Sequence, residues 1–422
     1  MTESPTDAVL DTRTLGRATL ARQQLLERAE VAGDDDVVAL VARVAGFQAQ
    51  TPQTWYAGLW NRIADFDPTS VGRMIEDGRL VRIAVMRSTI HLVSPDDAYA
   101  WRRALQPVLD SELWQAQHKH LADHDALAIA SAAREVLADE ALTAKQLSER
   151  LASRWPDVAP RTIAYTARNA MPLVQVPPRG VWGKPGATRY RVLHDWVVET
   201  AERRGKTPPA WALAREVGDV VSSSCTSWFD RGRPGERPLR AADDSPELRA
   251  LIRRYLAALG PATVQDVQAF TALTRLAETT DRMDDLVRTR DEKGRELLDV
   301  DGAPLPDADT PAPPRVMYDF DNTFLSHADR SRVGDDAVRA AWPRDTNGIV
   351  PGAVTLDGTT AGWWRLLRDG RGRPEDAARI EMELVRRPAA GERAALRREV
   401  DALLRFLAPG DGAREVRISR AA

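Results

Sequence analysis

The sequence predicts a mainly α protein with small β elements: three tandem winged-helix units followed by a small C-terminal β element. Two observations carry this reading. Short stretches with apolar residues at helical spacing are each followed by a pair of strand-like runs, the helix-then-hairpin order of a winged helix. That order recurs three times at a spacing of roughly 120 residues, although the copies share little sequence. Size agrees, because 422 residues, 43% hydrophobic and 29% charged, suit several small units better than one large core.

The first stretch, 1–16, is polar (MTESPTDAVLDTR) and is expected to be disordered; it has no apolar core of a secretion signal. The first winged helix is placed at 17–125. A helix is expected from Arg17 to Arg28 and a second from Asp36 to Ala45, where Val37, Leu40, Val41 and Val44 share a face. Thr51-Pro52 reads as an N-cap with proline in the first helical position, opening a helix that carries Trp55, Leu59, Trp60 and Ile63. A further helix begins near Pro68, and LVRIAVMRSTIHLV follows as two short strands or one bent strand.

The second unit, 126–202, reads as a helix over Leu127 to Leu137, another capped by Thr143, a third over Pro160 to Ala170, and the hairpin LVQVPPRGVWGKPGATRYRV. Residues 203–244, rich in Pro, Ser, Gly and Arg, read as a linker or surface insertion. The third unit, 245–310, opens with ELRALIRRYLAAL, breaks at Gly260-Pro261, and restarts with Thr263 as cap of TVQDVQAF. TALTRLAE and DRMDDLV add helical turns before a polar hairpin at Lys293-Gly294. DGAPLPDADTPAPP then interrupts the chain. The remainder, 311–422, reads as a β element closed by the amphipathic helix GERAALRREVDALLRFL, with an arginine-rich outer face.

Charge decides little. The net charge is -3, and of 59 Lys and Arg residues only five are lysine, a bias that codon usage in a GC-rich genome explains as readily as nucleic-acid binding. The lone Cys225 excludes an intrachain disulfide and a cysteine-rich zinc site. With no long apolar run, a cytoplasmic location and no membrane association are expected. HExxH, P-loop, GxGxxG and GxSxG motifs are absent. His120 and His124 in HKHLADH could share a helical face, but no acidic partner pattern accompanies them, so neither a metal nor a cofactor is expected.

Three local features could carry chemistry. The sharpest is Gly46-Phe47-Gln48-Ala49-Gln50-Thr51-Pro52. Gly46 weakens the preceding helix and Pro52 pushes Thr51 out of the α region, so the two glutamines belong to a connection. In extended backbone both carboxamides project to one side, where they can hold a water or a base edge; capping or solvent-facing glutamines are the plainer alternative. In MRSTIHLV, strand alternation would put Arg87, Thr89 and His91 on one face as DNA contacts, the alternative being a solvated wing. Phe320-Asp321-Asn322 is a turn whose Asp321 and Asn322 either fix the backbone or belong to a functional site. Arg179 and Lys293, at hairpin tips, are candidate phosphate contacts.

Taken in order, ARQQLLERA, GFQAQTPQTWYAGLW, LVRIAVMRSTIHLVSPDDA, RYLAALGPATVQDV, FDNTFLSHADRSRV and VTLDGTTAGWW resemble the AlkZ/YcaQ-type winged-helix DNA glycosylases over about Arg17 to Leu407. The resemblance implies three winged helices around a concave DNA-binding surface. It also implies a catalytic Gln-x-Gln signature, which falls on Gln48 and Gln50 and places the chain on the AlkZ side. The implied activity is monofunctional hydrolysis of the N-glycosidic bond of cationic alkylated purines, with bulky adducts or interstrand crosslinks as further substrates. The partner is then double-stranded DNA carrying alkylated bases, and a monomer is expected. A non-catalytic winged-helix regulator is the competing reading, and a protein sequestering the alkylating toxin a third.

Overall fold

The computed structural model describes residues 9–121, 123–213, 239–343, 350–369, 376–410 and 412–420. Local signals start most helices. Asp11 accepts from the Thr14 amide at 2.7 Å and caps the helix Thr12–Arg22, and Asp67 caps Pro68–Glu76, where proline occupies the first turn. Capping boxes of Thr143 with Gln146 and of Thr263 with Asp266 open Ala144–Leu151 and Val264–Thr271. Ser245 caps Pro246–Leu259.

Fourteen strands among the described residues form three sheets. β1 (Val9–Leu10) lies parallel to β8 (Leu286–Asp291), which pairs antiparallel with β9 (Glu296–Val300). The second sheet runs in the order β2 (Phe47–Gln48), β4 (Ile90–Val93), β3 (Val81–Ala84), β6 (Leu173–Val176), β7 (Arg189–Val192), β5 (Leu142–Thr143). The third takes β10 (Arg315–Val316), β11 (Gly352–Leu356), β12 (Thr359–Arg368), β13 (Ala378–Leu384) and β14 (Arg414–Arg420) in sequence order, antiparallel except for β13 with β14.

The first two hairpins therefore share one sheet, joined where Ile83 faces Val174. Their cores remain distinct. Leu113, Ile129, Ile163 and Leu173 pack as a cluster of their own, whereas Leu40, Phe47, Trp55, Leu92, Tyr255, Phe270, Val316 and Ile380 belong to one continuous core. The N-terminal helices, the helix Pro246–Leu259 and the C-terminal sheet are thus fused around the strand that carries the glutamines. No helix among the described residues is long and apolar enough to cross a membrane.

Several expectations are corrected. The first helix begins at Thr12 and ends at Arg22, because Asp11 supplies the cap and Gln24 turns to φ 55°. The stretch expected to be disordered enters the fold at Val9; residues 1–8 of it lie outside the described residues. The second helix starts at Asp34, where the acidic run Asp34-Asp35-Asp36 sits against the positive end of the helix dipole. Thr51 caps nothing: the next helix begins at Trp55, and 51–54 is a turn. The middle of TALTRLAE is not helical, since Ala272 at φ 63° stops Val264–Thr271 before Ala277–Asp281 begins. Within 203–244, Ala210–Leu213 is helical and Trp211 stacks on Tyr99 at 4.7 Å; residues 214–238 and Cys225 lie outside the described residues.

Candidate active site

Gly46 sets up the site. Its φ is +75°, and a Cβ there would lie 2.7 Å from Val93 Cγ1 and 2.9 Å from the Leu92 carbonyl oxygen, so only glycine lets the chain leave its helix and lie flat on β4. β2 then pairs antiparallel with β4, Phe47 opposite Leu92 and Gln48 opposite His91. The ladder continues past β2, with the Ala49 amide donating to the Ile90 carbonyl at 2.7 Å. Alternation buries Phe47 and Ala49 in the core and leaves Gln48 and Gln50 on the other side.

Both carboxamides are oriented by donors that fix which end is oxygen. Arg87 Nη2 donates to Gln48 Oε1 at 2.8 Å, and the Ile90 amide donates to Gln50 Oε1 at 3.2 Å. Guanidinium and backbone N–H can only donate, so each contact must be to the oxygen. No described residue accepts from either Nε2. Gln48 is 5% exposed and Gln50 is exposed, so the pair runs from the core to the surface with its N–H donors unclaimed.

Three side chains clamp the backbone beneath. Arg82 Nη2 donates to the Ala49 carbonyl at 3.1 Å, and Asn322 Nδ2 donates to the Gly46 carbonyl at 2.9 Å. Arg87 adds the Gln48 contact and donates through Nη1 to the Phe270 carbonyl at 2.9 Å, tying the glutamine strand to Val264–Thr271. Burial pulls both arginines down to about 10, still fully charged at neutral pH. Arg82 carried no signal in the sequence, sitting as a lone arginine inside an apolar strand.

The expected alternation of Arg87, Thr89 and His91 does not occur. Arg87 and Ser88 both have positive φ, 55° and 56°, and form a tight turn between β3 and β4. Two non-glycine residues in this region are strained, and the contacts of Arg87, with Arg168 Nη2 donating to the Ser88 carbonyl at 2.8 Å, hold them there. Thr89 Oγ1 donates back to the Met86 carbonyl at 3.0 Å. His91 is fully buried; its Nδ1 lies 3.0 Å from the Thr89 carbonyl, and desolvation pulls its pKa down to about 3. It is a neutral core residue with no surface open to DNA.

Asp321 and Asn322 are supports. Asp321 meets Arg62 through two contacts of 2.9 Å, and both side chains are buried. Neither Asp321 nor Asn322 is open to a lesion. Two residues earlier lies Asp319, which sequence reading passed over because nothing distinguishes it from Asp321 in YDFDN. Thr54 Oγ1 donates to Asp319 Oδ1 at 2.7 Å, and burial pushes the carboxyl above its usual range against the pull of the Thr54 and Thr51 hydroxyls. Of the hairpin-tip candidates, Arg179 borders the clamp, its carbonyl accepting from Arg82 Nη1 at 3.2 Å, whereas Lys293 belongs to the β8–β9 hairpin. Arg179 Nη1 donates to the Gly186 carbonyl at 3.1 Å, and Lys293 Nζ pairs with Asp329 at 3.0 Å.

Chemically, the arrangement can hold a water or a base through two fixed amides, with the Asp319 carboxylate held against the turn that follows Gln50. Among the described residues no group of three or more His, Cys, Asp or Glu is gathered as a metal would require; His124 instead meets Asp157 at 3.1 Å. Comparison with known proteins agrees with a glycosylase fold. Streptomyces sahachiroi DNA glycosylase AlkZ superposes with a TM-score of 0.69 at 18% identity, covering 97% of this chain and 100% of that one. No curated protein matches the sequence. The family model for AlkZ-like DNA glycosylases matches residues 41–406, a span that includes both glutamines, Asp319 and every side chain that clamps them: the chain belongs to the AlkZ-like DNA glycosylase family.

Proposed function

We propose that this protein is a monofunctional DNA N-glycosylase that hydrolyses the glycosidic bond of cationic alkylated purines of the N7-alkylguanine type, with Gln48 and Gln50 as its catalytic residues. The observation that carries the reading is the pair of carboxamides on one face, oxygens held and N–H groups open. An N7-alkylated guanine is already a cation and leaves as a neutral base, so little general-acid help is needed. What remains is to place a water at C1′ as the bond breaks. Fixed dipoles do this without reorganising.

The substrate partner is double-stranded DNA carrying the lesion. The N-terminal, second and third helix-plus-hairpin segments are read as winged helices that present this site, and Arg179 and Lys293 as phosphate contacts that supply affinity without sequence preference. An open cleft would admit bulky adducts and crosslinked bases without flipping them into a closed pocket. No lysine amine touches the glutamines among the described residues; Lys184 Nζ, for example, pairs with Glu76 at 2.6 Å. A Schiff-base lyase step is therefore not part of the proposal, and the product is an abasic site. The protein is taken to act as a monomer in the cytoplasm.

Single-turnover excision on a duplex with one N7-alkylguanine tests this. Wild type is expected to release the base, and Gln48→Ala and Gln50→Ala each to slow release about 10²-fold, the usual cost of one preorganised donor, while still binding the duplex. Tight DNA binding without release from simple or bulky cationic lesions would reject the enzyme in favour of a winged-helix regulator.

A further inference from the structure

Resting on the glycosylase reading above, we infer that Asp319 is a third catalytic residue, which accepts the proton of the water that the two glutamines place at C1′. The need for such a group follows from the amides themselves. Each oxygen already accepts one bond and keeps one lone pair, beside an open N–H. The amides can hold and orient a water through an N–H and a carbonyl lone pair, but a carboxamide is far too weak a base to take its proton.

Asp319 is the carboxylate placed to supply that function. It accepts from the hydroxyls of Thr54, at 2.7 Å, and Thr51, the residue after Gln50, and from the backbone amides of Asp319 and Phe320. No arginine, lysine or histidine pairs with it among the described residues. Asp321, two positions on, is the internal control: Arg62 neutralises it, and both are sealed in the core. The charged groups around Tyr318, the neighbour of Asp319, are Arg62, Asp321 and Arg87, and each already has a partner. Asp319 is thus an anion with no cationic partner among the described residues, partly exposed, held against the turn 51–54 that follows Gln50. Its raised pKa brings it nearer to the pH at which a general base is most effective.

The step balances. The C1′–N9 bond breaks and its electron pair leaves with the base, cancelling the ring cation. The water oxygen bonds to C1′, and its proton passes to the Asp319 carboxylate and then to solvent.

The experiment is the pH dependence of single-turnover base release from an N7-alkylguanine duplex by wild type, Asp319→Asn and Asp319→Glu. Duplex affinity and melting temperature are measured alongside. Wild type should show a rate that rises as Asp319 ionises and then levels off. D319N, which keeps the shape and can keep the threonine contacts, should lose about 10²-fold on the plateau together with the rise, with duplex affinity within about twofold. D319E should regain a pH-dependent limb. A D319N profile superimposable on wild type overturns the inference, as does a slower D319N that keeps the wild-type pH limb. If D319N fails to fold, wild type still decides, since a flat profile through the acid range overturns it. Absence of any release by wild type would reject the glycosylase reading itself, an outcome separate from the failure of Asp319 alone.

Discussion

The hairpins β3–β4 and β8–β9 look alike in sequence, each a pair of short strands with an arginine or lysine at the tip, yet they do opposite things. All eight residues of β3 and β4 are buried, and the tip residue Arg87 turns inward to hold Gln48 and the Phe270 carbonyl. The β8–β9 tip faces solvent, and its two cations are paired locally, Lys293 with Asp329 and Arg295 with Asp291 and Asp329. A basic residue at a hairpin tip is therefore no guide to DNA contact. Where the tip turns into the core it positions the site, and where it faces water it is solvated.

Ion pairs show the contrast at its largest. Asp321→Ala strands the buried Arg62 guanidinium and should cost about 3–5 kcal/mol in denaturant unfolding; a cost below about 1 kcal/mol would mean that Arg62 finds water or another partner. Arg87 comes next. Arg87→Met should slow single-turnover release about 10²-fold while duplex affinity and its salt dependence stay near wild type, and Arg87→Lys should not rescue, because one ammonium cannot span both acceptors. A parallel loss of affinity with a shallower salt slope would instead make Arg87 a phosphate contact, erasing the distinction between the hairpins.

The inner hairpin should also make the protein acid-sensitive. His91 is held at about 3 in the fold against roughly 6.5 in the unfolded chain. The unfolded state therefore binds the extra proton first, so stability is fully present above pH 6.5 and lost as pH falls toward 3. At pH 5 the loss from this group is about 2 kcal/mol, measurable as a lower denaturant midpoint that His91→Gln should flatten. The smallest effect belongs to the outer tip. Lys293→Ala should change stability by under about 1 kcal/mol and weaken duplex binding modestly at low salt; a collapse of base release would place that wing in the site.

Much of the helical framework was legible because its signals are local. Ser245, Thr263 and Thr143 as caps, the Pro160–Ala170 helix, and the hairpins at 173–192 and 286–300 all follow from residues a few positions apart. The misreadings were also local in origin. Asp11 was missed as a cap, and Thr51-Pro52 was credited with a helix start although Gln53 at φ 68° forms a turn there. The arginine-serine turn at 87–88 has no sequence signature, since its positive φ angles are imposed by partners from distant segments rather than allowed by glycine.

The sequence by itself determined that Gln48 and Gln50 lie in extended backbone between helices. Gly46 and Pro52 exclude a continuous helix, and a period of two puts both amides on one side. Only the tertiary structure decided what surrounds them. Arg82, Arg87, Asn322 and Asp319 reach the motif from strands and loops up to 276 positions away, and whether a given arginine or aspartate is buried, paired or free depends on packing. That is why Asp321 and Asp319, indistinguishable as letters, became a sealed ion pair and an unneutralised carboxylate.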